Sequence, residues 1–157
     1  MFKKQIELFP DSPANVYYML GLTYGYSARG GKSQDWINAE KYFREDIVRA
    51  PSAVWPRIDL GWVLFAQGKF EEMKPLVVEG LKLEPNNPWL HNMYGLALLN
   101  TGEKAKANEE FLLAQKETKA LTPEEWGSSY PGNDPLSWEV GLREMQKSID
   151  HNVLISR

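Results

Sequence analysis

Few residues in this chain of 157 are placed to do covalent chemistry. Gly30-Gly31-Lys32-Ser33 has the ending of a phosphate-binding loop. That loop also needs a strand ahead of it and a glycine five residues before the Gly-Lys pair. Tyr26 stands there, Gly25 is one place off, and the preceding segment is helical in pattern, so the run reads as a loop insertion. His91 and His151 are the only histidines, and their spacing makes neither a His-Glu-x-x-His nor a His-x-x-His pair, so no metal site is expected. The carboxylates of Glu71-Glu72, Glu109-Glu110 and Glu124-Glu125 are adjacent pairs. Neighbours on a helix point in different directions, so these are solvated faces and not acid/base couples. There is no Gly-x-Ser-x-Gly and no cysteine nucleophile. The residue roles of an active site are missing, so the expectation is no enzyme, no catalytic residue and no cofactor. What the chain has in quantity is contact chemistry: six Trp, seven Tyr and six Phe.

A 43% hydrophobic content fits a folded chain long enough for a sizeable core. The net charge of -3 gives no general attraction to nucleic acid or to an anionic membrane. Without cysteine, disulfide frameworks and thiolate metal sites are excluded. The start, MFKKQIELFPDSP, has no apolar h-region and is not a signal peptide as it stands. No apolar run approaches the roughly 18–20 residues that span a bilayer, so membrane insertion is not expected and the cytoplasm is slightly favoured.

These residues must be positioned by helices. Residues 1–9 have the pattern of a helix ended by Pro10, with Asp11 or Ser12 capping the next. Tyr17, Leu20, Gly21 and Tyr24 make one face of a helix over about 13–28, which Gly30-Gly31 breaks. Trp36, Ala39, Phe43 and Ile47 stripe a second helix, started by Ser33 or Asp35 and ended by Pro51. Further helices are predicted over 53–67, 70–83, 88–100 and 103–120, with Pro75 fraying the start of the fourth. Three Pro, two Gly and two Ser mark 121–135 as an irregular linker, pinned by Trp126 and Tyr130. From about residue 136 a last helix carries the stripe Trp138, Leu142, Met145, Ile149 and Val153.

The pattern repeats. Leu20-Gly21 matches Leu60-Gly61 and Tyr94-Gly95, and Ala39 and Phe43 match Met73 and Val77, then Ala107 and Phe111. Gly61 and Gly95 are 34 residues apart, as are Met73 and Ala107; the first unit has six residues more between its glycine and Ala39. A bare glycine on one helix and a small residue on the other let two helices approach, and a large residue one turn on fills the next hole. On these residues, and on the closing Pro51 and Pro85, the chain resembles the tetratricopeptide repeat family. The resemblance implies an all-α, right-handed solenoid of helix-turn-helix repeats over 1–120, with a half-repeat at 1–10 and repeats at about 13–51, 52–85 and 86–120. Residues 121–135 would be the linker and 136–157 a C-terminal capping helix, since the end units of such arrays need a cover. Opening on a half-repeat, the chain is expected to be cut from a longer array.

The resemblance also implies that the first helix of each unit lines a concave groove. The matching places are Asn15, Tyr18, Leu22 and Tyr26, then Trp55, Ile58, Trp62 and Phe65, then Trp89, Asn92, Leu96 and Asn100. Trp55, Trp62 and Trp89 are expected on one continuous surface. Members that grip a chaperone's acidic tail use a clamp of Lys, Arg and Asn; the corresponding Tyr18, Leu22, Asp59, Trp89 and Met93 include no basic residue. The expected function is a non-catalytic scaffold that binds a protein or peptide segment. The alternatives are a homo-oligomeric assembly module and a regulatory domain of a larger enzyme.

Overall fold

The computed structural model describes Lys4 and residues 13–129 and 134–157, which form helices and connecting turns with no strand among them. The expected helix over 1–9, its stop at Pro10, the caps at Asp11 or Ser12, and Tyr130 lie outside the described residues. The chain divides into two units, Met1–Leu83 and Glu84–Arg157.

The first unit contains α1 (Ala14–Arg29), α2 (Asp35–Arg49), α3 (Trp55–Ala66) and α4 (Phe70–Leu83). Its core holds Tyr17, Leu20, Ala39, Phe43, Leu60, Leu64, Met73 and Val77, all buried. The α1–α2 contact is set by Gly21, where an added Cβ would stand 2.5 Å from the Phe43 ring. Glu40 of α2 ties the next hairpin down: it accepts from Lys69 Nζ at 2.7 Å, Gln67 Nε2 at 2.9 Å and Arg44 at 2.8 Å. Pro75 lies inside α4, which is nonetheless helical from Phe70, so the expected fraying is corrected. The carbonyl that the missing N–H would have served belongs to Glu71, a solvent-exposed residue.

The second unit contains α5 (Pro88–Asn100), α6 (Lys104–Ala120), a short α7 (Pro123–Ser128), a 3-10 turn (Pro135–Ser137) and α8 (Trp138–Ile155). Asn87 starts α5 by accepting from Leu90 N–H at 3.0 Å. Leu98, Ala107, Phe111 and Val153 form one buried cluster, with Phe111 lying against Gly95 as Phe43 lies against Gly21. The last helix runs antiparallel to α6. Asn108 Nδ2 donates to Val153 O at 3.2 Å, Gln115 Nε2 to Asp150 Oδ1 at 2.7 Å, and Gln146 Nε2 to Thr118 O at 2.9 Å. Leu142, Ile149 and Val153 of the expected stripe are buried, and Met145 is half-buried.

The expectation of an irregular linker over 121–135 is corrected at its centre, where α7 is helical. Thr122 Oγ1 accepts from Glu125 N–H at 3.2 Å, and Glu125 Oε2 accepts from Thr122 N–H at 2.8 Å, a reciprocal cap that starts the helix. Two tryptophans hold it: Trp138 lies on Gly127, and Trp126 lies on Gly141.

Each hairpin turns the same way. Gly68 and Gly102 have φ of +71° and +87°, a left-handed conformation that favours glycine. Lys69 N–H and Glu103 N–H each reach back 2.9 Å to the carbonyls of Leu64 and Leu98, closing the helix ends. In the first hairpin the six extra residues are divided. Three, Ser27–Arg29, lengthen α1 by almost a turn; one extends the start of α2; and two lengthen the turn. Ser27 Oγ donates to Asp35 Oδ2 at 2.6 Å across this taller end.

Two outcomes follow. Gly95→Leu should lose about 1–3 kcal/mol in urea denaturation, because the new side chain enters the space of the Phe111 ring. Gly25→Ala, with nothing within 4 Å of the added Cβ, should lose none. The second concerns His91, which is buried with Nδ1 2.7 Å from Glu110 Oε2 and Nε2 2.8 Å from Pro85 O. Two acceptors face two ring nitrogens, an arrangement that the doubly protonated ring satisfies. Burial alone would lower the His91 pKa, but Glu110 and the Pro85 carbonyl outweigh it and the net shift is upward. Stability from this site is full below the ordinary histidine value of about 6.5 and is lost as pH rises through the raised folded value. His91→Gln should flatten that decline in denaturation curves measured from pH 6 to 9.

Candidate functional site

In the first unit, α1, α2 and α3 enclose a cleft. A cavity of about 130 Å³ is lined by Leu22, Gly25, Tyr26 and Arg29 of α1, Trp36 and Phe43 of α2, and Asp59, Trp62 and Val63 of α3. The local reasons are specific. Gly21 draws Phe43 close under α1, and that ring forms the floor. Trp62 is braced edge-on by Phe65, with ring centroids 6.0 Å apart, and Phe65 in turn by Phe70 at 5.6 Å. Tyr26 stands at the foot of the added turn of α1 and Arg29 stands on it, so the insertion builds one wall.

The polar centre is Asp59. Tyr18 Oη donates to Asp59 Oδ2 at 2.7 Å, joining α1 to α3. Burial raises the Asp59 carboxyl to about 6, against the pull of the Tyr18 hydrogen bond. Burial and the neighbouring Asp59 charge push the Tyr18 phenol well above its ordinary range. Asp46 of α2 is buried beside them and is likewise raised to about 6 by burial, in spite of the Tyr18 backbone N–H. Among the described residues no ion pair joins Asp59 to a cation, and Arg29, though it lines the same cavity, is exposed and forms none with it.

The twelve residues singled out in the sequence separate clearly. Leu22, Tyr26 and Trp62 come together at the cleft, with Tyr26 67% and Trp62 39% exposed. Tyr18 lies beside them but gives its hydroxyl to Asp59, and Phe65 is a brace. Asn15 is exposed and outside the cavity, and Trp55 is half-buried and does not line it. Three do not lie at the surface as expected. Ile58 is 2% exposed, a core residue. Trp89 is 8% exposed, so it does not present the open aromatic face expected of it. Asn92 is 7% exposed because its Oδ1 accepts from Asn152 Nδ2 of α8 at 2.8 Å. Leu96 is half-buried against the second unit's core, and Asn100 is exposed with its amide turned back to Leu96 O at 2.8 Å. Sequence reasoning missed Asp59, Trp36 and Arg29 as lining residues; the signal that could have found Arg29 was the insertion itself.

No helix among the described residues is long and apolar enough to cross a membrane, and no group of three or more His, Asp or Glu there could hold a metal ion.

From pH 4 to 8 the cleft should be legible in stability. With a folded value of about 6 against an ordinary 3.8, the Asp59 contribution is full below about pH 4 and is lost as pH rises through 6. Asp59→Asn, which keeps an acceptor for Tyr18, should therefore stabilise the protein at pH 8 by on the order of 1–2 kcal/mol and leave it unchanged at pH 4. Urea denaturation at the two pH values checks this.

The sequence matches no protein-family model and no curated protein. Solved structures do match. MamA AMB-1 is 23% identical over 78% of this chain and 63% of its own, with a TM-score of 0.66, so the chain spans less than two thirds of that structure. SycD, the type III secretion translocator chaperone of Yersinia enterocolitica, is 17% identical over 96% of both chains, with a TM-score of 0.66. SycD also matches in complex with a peptide of the translocator YopD, with a TM-score of 0.54. The first TPR domain of human RPAP3 is 11% identical over 85% of this chain and 94% of its own, with a TM-score of 0.54. The chain has the all-α helix-hairpin fold of the tetratricopeptide repeat proteins.

Proposed function

We propose that the chain is a non-catalytic scaffold that binds a segment of another protein, and that the α1–α3 cleft of the first unit is a contact site. One observation carries this: large aromatic side chains, Tyr26 and Trp62, stand exposed at the mouth of a cavity whose floor is Phe43. Exposed apolar groups gathered around a concavity mark interaction sites, and Trp and Tyr dominate binding hot spots. The cleft's ionic groups are one carboxylate held by a phenol and one guanidinium. Such groups orient a segment. They do not pair a nucleophile with a base. The likeness to SycD, matched with a peptide of YopD bound, supports protein binding as the class. Of the twelve residues read from the sequence, the proposed contact set keeps Leu22, Tyr26 and Trp62, with Asn15 and Trp55 flanking, and leaves out buried Ile58, Trp89 and Asn92.

A peptide array probed with the wild type and with Trp62→Ala tests this. Peptides retained by the wild type should lose about 2 kcal/mol or more of binding free energy to the variant, with its circular dichroism unchanged. Val48→Ala, at an exposed residue outside the cavity, should retain them. Equal retention by Trp62→Ala would remove the cleft as the site. Light scattering over a concentration series would then decide whether the partner is a second copy of the chain.

A further inference from the structure

We propose that the cleft is a cation pocket, and that it takes the ammonium or guanidinium head of a basic side chain from the bound segment. The proposal rests on the scaffold reading and specifies the chemistry of its occupant. Its basis is the meeting of three features in one cavity. The first is an acceptor without a counter-charge: one oxygen of Asp59 takes the Tyr18 hydroxyl at 2.7 Å, and no cation pairs with the carboxylate among the described residues. A carboxylate sheltered from water and left unpaired attracts positive charge strongly.

The second feature is the wall. Tyr26, Trp36 and Trp62 line the same cavity, and aromatic rings grouped around a space stabilise a cation through the negative potential of their faces. The third is size. A water needs only about 10–15 Å³, whereas the cavity of about 130 Å³ has room for a larger head group. None of the charged and titratable groups around Asp59 is a cation, with one exception. Tyr18 of α1 is a neutral phenol held protonated, Tyr26 is a second phenol, and Asp46 of α2 adds a second acid. The exception is Arg29, on the solvent side and without an ion pair to Asp59. An incoming cation would meet the carboxylate below and aromatic rings beside it, with Arg29 limiting how many positive charges the segment can bring.

The test is a titration of the isotope-labelled full chain, following the indole N–H signals of Trp36 and Trp62. The probes are tetramethylammonium and the peptide Gly-Gly-Lys-Gly-Gly, against its norleucine and glutamate counterparts. The lysine peptide and tetramethylammonium should shift both signals saturably, and the norleucine peptide should bind at least tenfold more weakly. Asp59→Asn should weaken the lysine peptide at least tenfold with its spectrum otherwise folded. Trp62→Ala should weaken it as well, and binding should fall from pH 7.5 to 5 as the carboxylate takes its proton.

Equal binding of the norleucine peptide would make the pocket merely apolar and overturn the proposal. Tighter binding of the glutamate peptide would overturn it in favour of Arg29 as the recognising group. Failure of every probe to shift the two indoles would also overturn it. The scaffold reading is judged separately. If array peptides depend on Trp62 but not on Asp59, the scaffold stands and the cation pocket falls. If the array retains nothing while the lysine peptide still binds, the scaffold reading fails and the pocket remains.

Discussion

An aromatic ring laid on a bare glycine is the contact on which both units depend. Phe43 covers Gly21 in one and Phe111 covers Gly95 in the other. The backbone can approach the ring only because no Cβ intervenes, and the approach sets the depth to which the neighbouring side chains interlock. Glycine inside a helix costs about 1 kcal/mol relative to alanine, and the closer packing must offset it. The second unit uses the device again at its end, where Trp126 and Trp138 each lie on a glycine of the other's helix. That reciprocal pair explains why a helix as short as α7 is held: it is capped at one end and clasped along its side.

Once the helix pairs are fixed, polar bonds align non-consecutive helices within each unit. Tyr18 to Asp59 links α1 to α3, and Asn152 to Asn92 links α8 to α5. Such bonds are directional, and an unmet partner in a dry interface is costly, so each one favours a single alignment. The two differ in consequence. The amide pair is neutral and buried, so it closes its face. The phenol–carboxylate pair leaves a charge facing a cavity, so it gives its face a chemical preference.

Much of the fold was legible because it is written locally. The Leu-Gly pairs, Ala39 with Phe43 and Ala107 with Phe111 in two of the second helices, and the glycines at the turns all act between residues of one hairpin, and helices such as Phe70–Leu83 and Pro88–Asn100 follow from the same local pattern. The short α7 was hidden by its proline, glycine and serine content, although Thr122 and Glu125 already carried the spacing of a cap. The site was less legible. Whether Trp89 or Asn92 is open depends on what lies over it, and for Asn92 that is a helix sixty residues further on. Asp59 looked like a missing clamp residue because its position was judged by the charge it lacks. Its burial and its phenol partner, which define its chemistry, are properties of the packed unit.

The added turn of the first hairpin has a different sort of significance. It sits at the end of α1, beyond the ring-on-glycine contact, where Ser27–Arg29 extend the helix and Ala28 is the one buried residue among the three. Length at that end can therefore change without disturbing the ring-on-glycine contact, as insertions at exposed loop ends do in general. Selection could act on the height and lining of this wall as a variable independent of folding. Close relatives that keep every core residue could thus differ in this one stretch, and with it in the shape of side chain they admit.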